Sequence, residues 1–378
     1  MSRWTDPSRY VGHVPGQQFR YEQYVLEDSG DLTCHYSLDG RAFTERINLG
    51  AGADRPAVRA AARLVFLLAG ISYYKTAAPP VIDLGDTAVT ELERSFLRDY
   101  YVEGLGEYAY KNDLDLTGLT IEGPEQTQSP VGIEQTGRPL VPFGGGIDSI
   151  VVVEATRKRH ADTALFVASR AGARFEAIEQ AAAVTGLPIK RADREVDEQV
   201  LRSSELGFLN GHVPVTGIVS ALAVMAALID DRDAVVMSNE WSASSPTLEA
   251  HGRSINHQWS KSLDFEASFR DVLAQSVDGF TYFSALRPYS ELWVARRFAT
   301  LTDYHPAFRS CNRSFHLDPA RRLDHWCGEC DKCCFIDLIL APFLDRDALA
   351  KVFGGREPLE RADLEPRFVS LLGDAAVT

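Results

Sequence analysis

Between Phe19 and Leu49 apolar and polar residues alternate in three short runs, YEQYVLE, LTCHYSL and RAFTERINL, and that period of two predicts strands with one buried face. Asp39-Gly40, between the last two runs, marks a hairpin turn. From Asp54 the pattern changes to PAVRAAARLVFLLAGISYYK, an Ala- and Leu-rich stretch with Pro56 near its first turn, which predicts a buried helix ended by Pro79-Pro80. A second helical pattern runs from about Thr87 to Tyr110. The stretch IEGPEQTQSPVGIEQTGRP then has no periodicity, so a domain boundary is expected there, dividing the chain into residues 1–137, an α+β domain, and residues 138–378.

Beyond the boundary, short apolar runs alternate with helical patterns. PLVPF is followed by a helix from about Asp148 to His160, TALFVAS by a helix from Ala173 to Val184, and then comes LPIKRA. VPVTGIVSALAVMAALIDD reads as a buried helix and AVVMS as a strand. A long polar loop, a helix around Phe265 to Gln275, the strand FTYFSAL and the helix ELWVARRFATL complete the series. Strands alternating with helices predict a parallel sheet, and right-handed crossovers lay helices on both faces. The expected fold class is therefore α/β with a doubly wound, mostly parallel sheet, an N-terminal α+β domain and a cysteine-rich C-terminal segment.

Composition refines this picture. A chain of 378 residues exceeds the size at which single cores stop growing, which agrees with two domains. With 45% hydrophobic and 24% charged residues it has the balance of a soluble globular protein, and no stretch is expected to approach the length of a membrane span. MSRWTDPSRYVGHVPGQ is polar and broken by Pro7 and Pro15, with no apolar core for a secretory signal, so a cytoplasmic location and no membrane partner are expected. The formal charge of -14 repels a phosphate backbone at long range, and a nucleic-acid partner is not expected. The sequence carries no signal of oligomeric state.

Three consecutive glycines, Gly144, Gly145 and Gly146, end the run LVPF and precede Asp148, Ser149 and a helix-compatible stretch. Glycine lets backbone N–H groups approach oxyanions closely, and a helix N-terminus adds a favourable dipole. Ser149 can donate to a phosphate, whereas Asp148 would act through a divalent cation such as Mg²⁺. The bland alternative is a tight turn in which Asp148 or Ser149 merely caps the next helix.

Five of the six cysteines crowd near the end of the chain. Cys327, Cys330 and Cys333 form two consecutive CxxC spacings, and Cys311 can be the fourth ligand. Four thiolates describe a structural zinc site, although an iron–sulfur cluster also uses four. A metal-free cluster is the remaining alternative, and His316 and His325 are possible substitute ligands. Cys334 is expected to pack among apolar residues.

After the strand AVVMS, the polar loop SNEWSASSPTLEAHGRSINHQWSKSLDF gathers Asn239, Glu240, His251, Arg253, Asn256, His257 and Lys261. In open α/β sheets ligands sit beyond the carboxyl ends of the strands, so this density of acid, base and amide groups suggests substrate binding rather than a solvated loop.

The loop Gly144-Gly145-Gly146-Ile147-Asp148-Ser149 resembles the SGGxDS loop of the N-type ATP pyrophosphatases, the PP-loop family. Gly144 stands where the commonest form has Ser. The resemblance implies a HUP/PP-loop-like domain that splits ATP to AMP and pyrophosphate, with the nucleoside held near Val167, Ala168 and Ser169. FGGGIDS, SNE, NHQWSKS, CNRSF and WCGECDKCCFIDLILAPF together resemble a narrower family, the UDP-N-acetylmuramoyl-L-alanyl-L-glutamate epimerases, MurL, whose members often have Lys where this chain has Ile147. That resemblance implies ATP- and Mg²⁺-dependent inversion of the terminal L-glutamate of a UDP-muramoyl dipeptide in peptidoglycan synthesis. The implied site has Asn239 and Glu240 near the nucleotide and His257, His251, Lys261 and Asp148 as the catalytic set, while residues 1–137 would bind the UDP-sugar. Adenylation suits this chemistry, because proton loss next to a free carboxylate would create a dianion, whereas a mixed anhydride stabilises the enolate. PP-loop enzymes acting on tRNA or on a nucleobase precursor, as in tRNA thiolation and 7-cyano-7-deazaguanine synthesis, and a non-catalytic nucleotide-binding protein are the alternative readings.

Overall fold

The computed structural model describes residues 16–373 apart from 53, 251 and 317. Its strands are β1 (Gln18–Leu26), β2 (Asp31–Leu38), β3 (Arg41–Asn48), β4 (Val81–Asp83), β5 (Thr120–Glu122), β6 (Val131–Gly132) and β7 (Pro139–Pro142) in the first half of the chain. The second half adds β8 (Ala164–Arg170), β9 (Ile189–Glu195), β10 (Ala234–Met237), β11 (Leu248–Ala250), β12 (Arg253–Ile255), β13 (Val277–Asp278) and β14 (Thr281–Ser284).

The predicted meander forms as β1–β2–β3. Asp39 and Gly40 turn the second hairpin with φ of 50° and 82°, the paired positive values that match the twist of the strands they join. Ten strands make one sheet in the order β14-β10-β7-β8-β9-β3-β2-β1-β4-β5. The block from β14 to β9 is parallel throughout. In chain order it reads 3-2-1-4-5, and the direction of winding reverses between β7 and β10, the position at which doubly wound sheets bind ligands beyond the carboxyl ends of their strands.

Alternation along the central strands sends residues to two cores. Leu140, Phe166 and Val235 face the helices Pro56–Ala69 and Val215–Ile229, whereas Val141, Leu165, Val167 and Val236 face the helices Ile147–Thr156, Glu176–Thr185 and Glu291–Ala299. Helices therefore cover both faces of a mostly parallel sheet, as expected for the class.

The sheet continues from one half of the chain into the other. Residues 46–48 of β3 pair antiparallel with residues 193–195 of β9. Glu45, fully buried beside this seam, accepts from Arg194 Nε at 2.6 Å, Arg194 Nη2 at 3.1 Å and the Tyr73 hydroxyl at 2.8 Å. Burial opposes the Arg194 charge, and Glu45 more than offsets it, leaving the guanidinium above its ordinary pKa. A paired, hydrogen-bonded charge is the form in which a carboxylate can sit in such a place.

Two local expectations needed correction. The helical pattern from Thr87 to Tyr110 forms two helices, Glu91–Val102 and Gly106–Lys111. The break falls at Gly104, where an added Cβ would lie 2.2 Å from the Tyr100 carbonyl oxygen and 2.8 Å from Pro214 Cγ. The helical run Pro56–Tyr74 does reach the length and apolarity of a membrane span at 19 residues, contrary to the sequence expectation, but 83% of it is buried in the protein as a core element.

Candidate active site

The glycine loop leaves β7 at the switch point. Gly145 has φ +73°, and a Cβ on it would lie 3.1 Å from both the Ala177 carbonyl oxygen and Ile178 Cα, so the loop rests directly on the helix Glu176–Thr185. A Cβ on Gly144 would meet nothing within 4 Å, which leaves open space on that side. Gly146 is the N-cap of Ile147–Thr156 and no side chain caps this helix. Ser149 instead donates its hydroxyl to the Gly146 carbonyl at 3.0 Å. Neither Asp148 nor Ser149 therefore caps the helix, and its first amides remain available to an anion.

Asp148 sits in the first turn of that helix, half-buried. Burial, reinforced by the charges of Glu240 and Glu291, pushes its carboxyl up to about 7, while Lys332 and Lys261 act in the opposite direction. Glu291 is likewise raised by burial and by Glu240. The loop carboxylate is thus surrounded by two further acids and two lysines from distant parts of the chain. Glu240 and Lys261 were expected near it, whereas Glu291 and Lys332 were not. A glutamate at the start of a helix after Ser290, or a lysine between two cysteines, looks like an ordinary surface residue in sequence.

The polar loop is pinned at both ends by Arg287. Its Nη1 donates to the Glu240 carbonyl at 3.1 Å and its Nη2 to the Lys261 carbonyl at 2.8 Å. Asn239 is buried, and its carbonyl accepts from the Ser284 hydroxyl at 2.6 Å, which joins the ends of β10 and β14. A cavity of about 140 Å³ follows, lined by Glu240, Thr247, Asn256, His257 and Glu291 among others. His257 faces His212 with ring centroids 6.2 Å apart and planes at 69°. Burial lowers the pKa of both imidazoles, Glu107 raises it, and Lys261 lowers it again. Lys261 thus acts on the histidine pair and on Asp148 alike, which makes the glycine loop and the polar loop one electrostatic site.

His212 escaped the sequence reading because a lone histidine before a helix carries no pattern. His251 lies outside the described residues. Ser169, at the end of β8, is engaged by Arg174, which donates to its hydroxyl at 3.2 Å and to Asp193 at 3.0 Å.

The sulfur atoms of Cys311, Cys327, Cys330 and Cys333 all lie within 4.8 Å of one another and could hold a metal ion. Cys330 Sγ lies 4.0 Å from Cys311 Sγ and 3.4 Å from Cys333 Sγ, and Cys327 Sγ lies 3.6 Å from Cys333 Sγ, so the four sulfurs converge on one point. His316 and His325 stay outside this group. His325 pairs with Asp324 at 2.7 Å, and His316 Nδ1 takes the Asp318 amide at 3.0 Å. Cys334 is fully buried against Leu364 and Phe368, and burial raises its thiol to about 11.

Fold and site together define an α/β protein with a glycine loop at the switch point of a parallel sheet and a four-cysteine centre beside it. The family models for the MurL N-terminal domain and the MurL C-terminal domain match residues 13–285 and 307–377. The chain belongs to the MurL family. Similar curated proteins occur in Xanthomonas oryzae pv. oryzae, 38% identical over 348 residues covering 89% of this chain and 76% of the relative, and in Salinispora tropica, 39% identical over 375 residues covering 94% and 79%. Both are named UDP-N-acetyl-alpha-D-muramoyl-L-alanyl-L-glutamate epimerase.

Proposed function

We propose that this chain inverts the terminal L-glutamate of UDP-N-acetylmuramoyl-L-alanyl-L-glutamate to D-glutamate by way of an acyl-adenylate, consuming ATP and releasing AMP and pyrophosphate. The observation that carries this reading is the convergence of an uncapped glycine loop, Asp148 and the histidine pair on Lys261, in a chain whose relatives bear that name. The names of those relatives give no support to action on tRNA or on a nucleobase.

The amides of residues 145–147 take phosphate oxygens, and Asp148 and Glu240 hold Mg²⁺. The substrate carboxylate attacks the α-phosphorus of ATP and pyrophosphate leaves. In the mixed anhydride the α-proton is acid enough for an imidazole kept neutral by its lowered pKa, and Lys261 steadies the developing oxyanion. A proton returns on the opposite face, and water releases AMP. Ser169 and Asn239 border the nucleoside. The four-cysteine centre holds zinc: thiolates this close suit a single tetrahedral ion, whereas a cluster would spread them over several irons. The UDP-sugar lies toward the N-terminal half. There a cavity of about 420 Å³ opens between Glu103, Tyr110, Arg253 and Ile255, at the foot of the hairpin that leads to His257.

The test is incubation of the nucleotide dipeptide with enzyme, ATP and Mg²⁺. D-Glutamate should appear together with AMP. ADP as product, or an unchanged L-epimer, would overturn the reading.

A further inference from the structure

The cysteine centre stands beside the glycine loop, and the residues next to its ligands reach into the site. Ser310 precedes Cys311, and its hydroxyl lies 3.4 Å from where a Cβ on Gly146 would be. That hydroxyl makes no hydrogen bond among the described residues, although it is half-buried at the N-cap of the loop helix. Arg309, one residue earlier, is buried and spans to the helix on which the loop rests, donating from Nη2 to Gln180 at 2.7 Å while its Nε has no partner.

The loop needs these groups. It contains no cationic side chain of its own, and Gly144 offers no hydroxyl. Around it stand three carboxylates, Asp148, Glu240 and Glu291, whose charge repels phosphate unless cations answer it. Lys261 of the polar loop is one such cation.

We propose that the four-cysteine centre anchors the nucleotide site: Cys311 fixes the Ser310 hydroxyl over the glycine loop, where it binds a phosphate oxygen. The inference rests on the reading of the loop as an ATP site. It gives the metal a second task beyond holding the fold, because a metal ligand and a phosphate-binding hydroxyl are neighbours in the chain.

The experiment is titration calorimetry of the metal-loaded full chain with α,β-methylene-ATP and Mg²⁺. Ser310→Ala should weaken binding about 10-fold, as expected for loss of one charge-assisted contact. Thermal midpoint and bound-metal content should stay as in the wild type, and Ser310→Thr, which keeps the hydroxyl, should recover part of the affinity. Unchanged affinity in Ser310→Ala, or affinity lost only together with the metal, would overturn the proposal. If the wild type itself does not bind the analogue, it is the ATP reading that falls.

Discussion

Arg287 and Glu266 form a buried ion pair in which Nε and Nη2 reach one carboxylate oxygen at 3.1 and 2.8 Å, while the other oxygen accepts the Ser284 amide at 3.2 Å. The same guanidinium holds the carbonyls of Glu240 and Lys261. Removing one partner leaves an unpaired buried charge, which costs about 3–5 kcal/mol in comparable pairs. Glu266→Ala should lower stability by that amount in a denaturant titration. Arg287→Lys, which cannot reach both carbonyls, should lose epimerisation out of proportion to its loss of stability.

Asp148 separates function from stability. Its carboxyl is raised to about 7, so the folded protein holds the charged form at a cost that the unfolded chain does not bear. Asp148→Ala should reduce AMP formation by roughly 100-fold or more, as for removal of one electrostatic stabiliser. The thermal midpoint near neutral pH should be unchanged or higher. A large fall in both would mark Asp148 as structural.

The histidine pair predicts a pH profile. Both imidazoles lie below their ordinary value of 6.5. The acid limb of kcat/KM for D-epimer formation should therefore fall below that pH. Lys261→Met removes a positive charge that lowers both groups, so the limb should move up, and Glu107→Gln should move it down. A limb that ignores both substitutions would exclude His212 and His257 as the titrating groups.

Asp337 makes stability depend on pH. It is fully buried, its Oδ2 accepts the Leu359 amide at 2.8 Å and its Oδ1 has no partner. Burial, with Glu357 and Glu360 nearby, raises it to about 7 from 3.8. A folded-state pKa above the unfolded one gives a contribution that is fully present below 3.8 and lost as pH rises through about 7. Asp337→Asn should remove this loss, so that its thermal midpoint gains on the wild type between about pH 4 and about pH 7. Equal slopes for the two proteins would refute the assignment.

Much of the fold was legible because period and length are local properties. β1 to β3, the five parallel strands and the helices between them follow the apolar pattern closely. The strands β4, β5, β6, β11, β12 and β13 have two or three residues each, too few to show a period. The continuity of the sheet was hidden for another reason, since it rests on the pairing of Asn48 with Asp193, far apart in sequence. The site divides the same way. The glycine loop and the cysteines announce themselves by spacing, and Glu240, His257 and Lys261 by density. Glu291, His212, Ser310 and Lys332 acquire meaning only from what folding sets beside them.

The seam between β3 and β9 also sets an order of events during synthesis. The meander leaves the ribosome first, and β3 then exposes an unpaired edge until residues 193–195 have been made. An unpaired strand edge is a template for pairing with another chain, so the completion of β9 closes the place at which the meander would join a second copy.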